Sequence, residues 1–171
     1  MNRAVFLDRD GIVNKAIVKD GKPYPPKDVN QIHFIKYFQN VMNRLKKEGF
    51  KVFVFTNQPD VARGTQTKEQ VEKINNYIFK KLPIDKIYCC YHDDKDNCEC
   101  RKPKPGMILQ AAKEFDIDLK KSWVIGDRSK DIEAGIAAGC KTIFVDYGYK
   151  EKLNCKPSVV IKYIEGEFYE S

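Results

Sequence analysis

Short, almost wholly apolar runs separated by amphipathic stretches of helical period constrain this chain more than any other feature. Residues 4–7, 52–55, 87–91, 123–125 and 142–145 read as buried strands, and 159–161 as a sixth at an edge. Phe34, Phe38, Val41 and Leu45 recur at helical spacing until Gly49. A capping box over Thr67 and Gln70 opens a second helix whose face is Val71, Ile74, Ile78 and Leu82, stopped by Pro83. A third helix is expected over 107–115, behind Pro105-Gly106, and a fourth from a Ser129 cap to Gly139. Strands that are apolar on both faces must be covered on both. The alternation therefore predicts an α/β, Rossmann-like parallel sheet with helices on both faces. With 171 residues and no internal repeat or low-complexity linker, residues 1–171 read as a single domain.

In such sheets ligands bind beyond the C-terminal strand ends. The polar residues there are Asp8-Arg9-Asp10-Gly11, Thr56-Asn57-Gln58, the cysteine-rich stretch and Gly126-Asp127. In extended backbone, Asp8 and Asp10 would share one side with Arg9 opposite. Two such carboxylates repel unless a cation lies between them or one is protonated, which suits a nucleophile beside an acid/base group; equally, the four residues make a plain turn. Asp127 would complete an oxygen cage for Mg²⁺, with Gly126 clearing space beside it. Asp131 serves either a metal role or the macrodipole of the helix it opens. The Thr56 hydroxyl could hold phosphoryl oxygens, although β-branched residues also simply suit strands. Lys102 is a cation just before a helix, and by itself reads as part of a solvated basic loop.

Six cysteines occur, and four of them, Cys89, Cys90, Cys98 and Cys100, fall within twelve residues. Such crowding is poor for a disulfide framework and good for a metal knuckle in a reducing compartment. Cys90-Tyr91-His92 and Cys98-Glu99-Cys100 would give an S₃N tetrahedron for Zn²⁺ with no open position, a structural site. Alternation turns Cys89 away from Cys90. No apolar run approaches the roughly 20 residues of a membrane span, and residues 1–7 lack the pattern of a secretory signal, so a cytoplasmic location is expected. The formal charge of +7 points to an anionic partner.

An acidic pair, a hydroxyl, a lysine before a helix and a second acidic pair, in that order, resemble the four motifs of the haloacid dehalogenase superfamily over nearly the whole chain. The first would be Phe6 to Gly11, the second Thr56, the third Lys102 and the fourth Gly126 to Asp131. The segments D-R-D-G-I-V-N, T-N-Q-x-x-x-A-R-G and C-R-K-P-K-P-G-M resemble the D-glycero-D-manno-heptose 1,7-bisphosphate phosphatase group and, less closely, the histidinol-phosphate phosphatases. The sequence departs from that group at Pro59-Asp60 and over 15–31, both on the substrate side. The resemblance implies a Mg²⁺-dependent phosphatase working through an aspartyl-phosphate. Asp8 would be the nucleophile and Asp10 the acid/base, with Thr56 and Lys102 holding phosphoryl oxygens. Mg²⁺ would sit on Asp8, the Asp10 carbonyl and Asp127. It also implies zinc on Cys90, His92, Cys98 and Cys100, favouring Cys90 over Cys89.

Arg9, Asn57, Gln58, Arg63, Arg101 and Arg128 are the candidate substrate contacts, and Lys15, Lys19 and Lys22 are spare cations. Neither residues 12–33 nor the zinc stretch is long enough for a folded cap, so an open site is expected, and a monomer acting on a phosphosugar. Two other readings remain at this stage. A nucleic-acid 3′-end phosphatase suits the charge but lacks a basic helix or interleaved aromatics. A non-catalytic zinc-stabilised module does not explain four intact motif positions.

Overall fold

The computed structural model describes residues 1–163. Six parallel strands form one sheet: β1 (Ala4–Leu7), β4 (Lys51–Asn57), β5 (Lys86–Cys90), β6 (Trp123–Gly126), β7 (Lys141–Asp146) and β8 (Val159–Lys162), in the order β5-β4-β1-β6-β7-β8. The alternation of each strand decides which core it joins. Val5, Leu7, Val52 and Val54 face one layer, built by Phe38 and Met42 of α1 (Lys36–Lys47) with Ile74 and Ile78 of α2 (Lys68–Lys81). Ala4, Phe6, Phe53 and Phe55 face the other, built by Met107, Ile108 and Ala111 of α3 (Gly106–Phe115) with Ala134 of α4 (Ser129–Ala138). Helices therefore cover both faces, as the apolar strands require.

From β1 the chain runs outward to β4 and β5, then crosses back to β6 on the other side of β1. The C-terminal ends of β1 and β6 thus flank a topological switch point, where strands part and leave a crevice.

Local details differ from the sequence reading. The buried stripe of α1 is Ile35, Phe38 and Met42, with Val41 only half-buried. Phe34 lies before the helix and stacks on Tyr77 at 5.9 Å. The Thr67 hydroxyl accepts the Gln70 N–H at 3.1 Å, but the Thr67 N–H goes to Gln66 Oε1 at 2.9 Å, so only half of the capping box forms. Arg128, not Ser129, occupies the cap of α4, and its backbone N–H is bonded by Asp131.

The largest departure is in 15–31, where a hairpin forms from β2 (Ile17–Lys19) and β3 (Lys22–Tyr24). Its two-residue turn is Asp20-Gly21, both with positive φ, the Asp-Gly chemistry that suits a type I′ turn. The hairpin tip meets the loop after β7 through Lys150 N–H to Gly21 O at 3.2 Å.

Candidate active site

The ends of β1 and β6 bring three carboxylates together. One ligand oxygen from each of Asp8, Asp127 and Asp131 lies within 4.8 Å of the others, and all three residues are buried. Two glycines make this packing possible. A Cβ on Gly11, which has φ +99°, would land in the Asp127 carboxylate, and a Cβ on Gly126 would land in Asp131. The space cleared by Gly126 is thus filled by Asp131 rather than by a ligand.

Lys102 is the counter-charge. Its Nζ donates to Asp8 Oδ1 at 2.8 Å, to Asp131 Oδ1 at 2.6 Å and to Phe55 O at 3.0 Å, above the Phe55 ring at 4.2 Å. Burial pulls its ammonium down, but Asp131 and Asp8 outweigh burial and hold it above its ordinary value. One cation does not balance three buried carboxylates. Asp127 is pushed well up, first by burial and then by Asp8 and Asp131. Asp131 is raised to about 6 by burial and Asp8, against the pull of Lys102.

Asp127 Oδ2 accepts the Tyr149 hydroxyl at 2.9 Å, while its Oδ1 is buried with no hydrogen-bond partner. A buried carboxylate oxygen without a donor, between two further carboxylates, fits a hard divalent cation. Asp131 fits the ligand set less well. One of its oxygens is held by Lys102 and the other by the Arg128 N–H at 3.1 Å. Of the two roles foreseen for it, the structure shows the one at the start of α4, where it bonds the Arg128 N–H.

Asp10 stands differently from the sequence expectation. Arg9 does not point away from it. The guanidinium folds back, with Nε and Nη2 on Asp10 Oδ1 at 3.1 and 3.0 Å, and Nη1 on Asn75 Oδ1 at 3.0 Å. Arg9 is fully buried and all its donors face protein, so its placement as a substrate contact is corrected. Gln58 is corrected likewise. It is buried, and its Nε2 donates to Asp10 Oδ2 and to Thr56 Oγ1, both at 2.9 Å. Asn57 does face the cavity, and its amide brackets the Lys102 backbone through Nδ2 to O and N to Oδ1, both 3.1 Å.

A cavity of about 480 Å³ opens above Asp8 and Asp10. Arg63, Arg101 and Arg128 line it, and so do Lys22, Lys130 and Lys150. Lys15 and Lys19 are not among the lining residues. Each rim arginine already has an acidic partner: Arg63 with Asp93 at 2.8 Å, Arg101 with Asp94 at 2.7 Å and Arg128 with Glu151 at 2.8 Å. Sequence reading missed these partners, as it missed Asn14, Asn75 and Tyr149. Asn14 closes the D-R-D-G-I-V-N segment without its contact being foreseen, and the others lie outside the quoted motifs: Asp93 and Asp94 in the turn after β5, Asn75 on α2, and Tyr149 and Glu151 in the loop after β7.

The cysteine stretch closes on itself after β5. Cys90, His92, Cys98 and Cys100 offer four ligand atoms within 4.8 Å of one another. Sγ of Cys90 lies 3.7 Å from that of Cys98, Sγ of Cys100 3.5 Å from that of Cys98, and His92 Nδ1 3.6 and 3.4 Å from Cys90 and Cys100. Ligands at Zn–S distances of about 2.3 Å in a tetrahedron stand about 3.8 Å apart, so three thiols and an imidazole at these spacings fit zinc. The 2.9 Å between Cys90 and Cys100 is too close for that geometry and too long for a disulfide. Burial opposes ionisation of Cys98, but the Arg101 backbone N–H and bonds from Cys100, Cys90 and His92 bring it down to about 7. Cys89 faces the other way, and burial raises its thiol to about 11.

An HAD-hydrolase-like family model matches residues 99–166. A D-glycero-beta-D-manno-heptose-1,7-bisphosphate 7-phosphatase of Helicobacter pylori is 40% identical over 148 residues, covering 82% of this chain and 81% of the relative. A D-glycero-alpha-D-manno-heptose-1,7-bisphosphate 7-phosphatase of Campylobacter jejuni is 36% identical over 148 residues, covering 84% and 81%. Among solved structures, the D,D-heptose 1,7-bisphosphate phosphatase of B. bronchiseptica, complexed with magnesium and phosphate, superposes with a TM-score of 0.72. It is 30% identical and covers 84% of this chain and 80% of that one.

Proposed function

Because this chain belongs to the haloacid-dehalogenase-like phosphatases, which are phosphoric monoester hydrolases, we propose that it removes the primary 7-phosphate of a heptose 1,7-bisphosphate and leaves the 1-phosphate in place. The observation that carries this reading is the buried triangle of Asp8, Asp127 and Asp131 with its partnerless Asp127 oxygen, set beside Lys102 under an arginine-rimmed cavity. Asp8, Asp127 and the Asp10 carbonyl would hold Mg²⁺, which when bound neutralises charge on the phosphoryl group.

The protein's own groups carry the covalent steps. Asp8 Oδ1 is tied by the Arg9 N–H at 2.9 Å and by Lys102, so Oδ2 is the attacking oxygen. It forms a bond to phosphorus as the bond to the sugar oxygen breaks, and that oxygen takes a proton from Asp10. The Asp10 carboxylate then takes a proton from water. The hydroxide oxygen bonds to phosphorus, the Asp8–phosphorus bond breaks, and inorganic phosphate leaves. The Thr56 hydroxyl, which accepts from Gln58, keeps its proton to donate to a phosphoryl oxygen, and Lys102, whose three N–H groups go to Asp8, Asp131 and Phe55 O, offsets negative charge beside the phosphoryl group during both transfers. Arg101, Arg128 and Arg63 face the far end of the substrate, where a planar fork suits a second phosphate. Zinc on Cys90, His92, Cys98 and Cys100 would pin the loop that delivers Arg101 and Lys102.

Phosphate release is the test. Heptose 1,7-bisphosphates of both anomers, the monophosphate, histidinol phosphate and 3′-phosphorylated oligonucleotides are compared with and without Mg²⁺. The expected result is the highest kcat/KM for a bisphosphate, only with Mg²⁺. Equal values for bisphosphate and monophosphate, or a preference for histidinol phosphate, overturn the substrate assignment.

A further inference from the structure

The most elaborate hydrogen-bond network beneath the site converges on Asp10, and the reaction as described does not require it. Arg9 is the hub. It is among the largest fully buried side chains and lies between the end of β1 and helix α2. Its Nη1 is anchored by Asn75 Oδ1 at 3.0 Å, and Asn75 is itself buried. Its Nε and Nη2 both reach Asp10 Oδ1, at 3.1 and 3.0 Å, with a longer 3.3 Å contact from Nη2 to Oδ2. Asn14 Nδ2 adds a third donor to the same Oδ1 at 3.1 Å. Oδ2 receives Gln58 Nε2 at 2.9 Å, and that amide nitrogen also reaches Thr56 Oγ1.

The two oxygens of Asp10 are thus unequal. Oδ1 is saturated by strong donors, including a two-point contact from a guanidinium that cannot lose its charge. Oδ2 has one neutral amide donor, Gln58 Nε2, and only the longer 3.3 Å contact from the Arg9 guanidinium. The side chain of Asp10 is 15% exposed and lines the cavity. A carboxyl group so held cannot rotate to exchange its oxygens.

We propose that Arg9 and Asn75 are positioning residues that lock the Asp10 carboxyl plane, so that Oδ2 alone carries the proton to the leaving oxygen and from water. This rests on the acid/base role given to Asp10 above. Asn75 matters because it anchors Arg9 from outside the motif itself, and it ties the acid/base group to helix α2. Without it the guanidinium can tilt, and Asp10 loses the two-point contact that sets its plane.

The experiment separates the two steps by leaving group. p-Nitrophenolate leaves without protonation, so its first turnover needs no acid, but hydrolysis of the aspartyl-phosphate still needs Asp10 as base. Stopped-flow kinetics are recorded for wild type, Asp10→Asn, Asn75→Leu and Asn75→Asp, with p-nitrophenyl phosphate and with a sugar bisphosphate. Asn75→Leu is expected to lower kcat on the sugar substrate by about tenfold, part of the full effect of an acid/base group. On p-nitrophenyl phosphate it should show a burst of one equivalent per site followed by slow turnover. Asn75→Asp, which still accepts from Arg9 Nη1, should restore both. Arg9→Lys keeps the buried charge but loses the two-point contact, so it should repeat the Asn75→Leu pattern if the leucine variant does not fold. Equal losses on both substrates without a burst, while Asp10→Asn does show the burst, overturn the positioning role alone. An Asp10→Asn variant with undiminished turnover overturns the acid/base reading and this inference with it.

Discussion

The acidic floor and the cysteine knuckle both gather ion ligands at the C-terminal rim of the sheet, yet they are assembled in opposite ways. The floor joins Asp8 to Asp127 and Asp131 across more than a hundred residues, and its register depends on β1 pairing with β6. The knuckle is made within residues 90–100 and needs little beyond the end of β5. Their electrostatics differ as much. The floor carries three buried carboxylates against one lysine, so without a cation it is repulsive. The knuckle's thiols can be neutral, so losing an ion costs little repulsion but removes the staple of its loop. The floor should therefore govern rate, and the knuckle stability.

The largest expected effect tests the first half of that contrast. Asp8→Asn should lower kcat by at least about 10³-fold, since an amide is a poor nucleophile. It should leave the melting temperature in Mg²⁺-free buffer unchanged or higher, because one buried carboxylate has gone. Phosphate release and thermal unfolding on the same preparation decide the matter, and near-native turnover would remove the aspartyl-phosphate.

The knuckle should behave in reverse. Purified protein should hold about one zinc per chain, and Cys98→Ser should lose zinc and melt at least about 5 °C lower. Turnover should fall by a smaller factor than in Asp8→Asn, because Arg101 and Lys102 follow the last ligand directly. Elemental analysis beside calorimetry checks this. Full zinc occupancy in a Cys90/Cys98/Cys100 triple variant would place the metal elsewhere.

How legible each region was in the sequence follows from the same contrast. The knuckle could be read from spacing, because its ligands are neighbours in the chain. The floor could be read because each carboxylate follows an apolar strand, and parallel sheets bring those ends together. What escaped was contact between elements with no motif of their own. Asn75 lies on the inner face of α2 and reads as one polar residue in an amphipathic helix. Tyr149 and Glu151 come from an irregular loop. Asp20-Gly21 did carry a hairpin signal, but the short strands beside it, Ile17–Lys19 and Lys22–Tyr24, have no apolar alternation long enough to declare themselves. Arg9 and Gln58 look like ligands for phosphate by composition. Only the fold shows that Asp10, Asn75 and Thr56 already occupy them.

A pH experiment sharpens the electrostatic half. Asp131 is raised to about 6 by burial and Asp8, and Asp127 is raised by burial, Asp8 and Asp131. Raised folded-state values mean that the folded form binds protons more tightly than the unfolded. This contribution to stability is present at low pH and lost as pH rises through about 6. Zinc-loaded, Mg²⁺-free wild type should therefore melt a few degrees below Asp127→Asn at pH 7, and the gap should shrink by pH 5. Added Mg²⁺ should stabilise only the wild type. The window closes nearer pH 4, where Glu114 matters. Bonds from Lys86, Tyr88 and Gln110 hold Glu114 down at about 2, so its stabilisation is lost as pH falls toward that value. A gap that widens between pH 7 and pH 5 would break the account of the floor as a repulsive cluster.

The smallest effect belongs to the rim. Arg128 is held by Glu151, with Nη2 at 2.8 Å from Oε1 and Nε at 3.3 Å, and Glu151 also accepts the Ser129 N–H at 3.2 Å. The Arg128 side chain is 39% exposed, so the pair is worth little to stability. Its consequence lies in binding, since a second phosphate must compete with a carboxylate already on the guanidinium. Glu151→Gln should free that guanidinium while keeping an acceptor for the Ser129 N–H. The expected result is a KM for the bisphosphate about two- to threefold lower at low salt, with kcat and the melting temperature unchanged. For a monophosphate KM should not move, and at high salt the difference should vanish by screening. An equal fall in KM for both substrates would mean that Arg128 serves the reacting phosphate, and would move it from the rim to the floor.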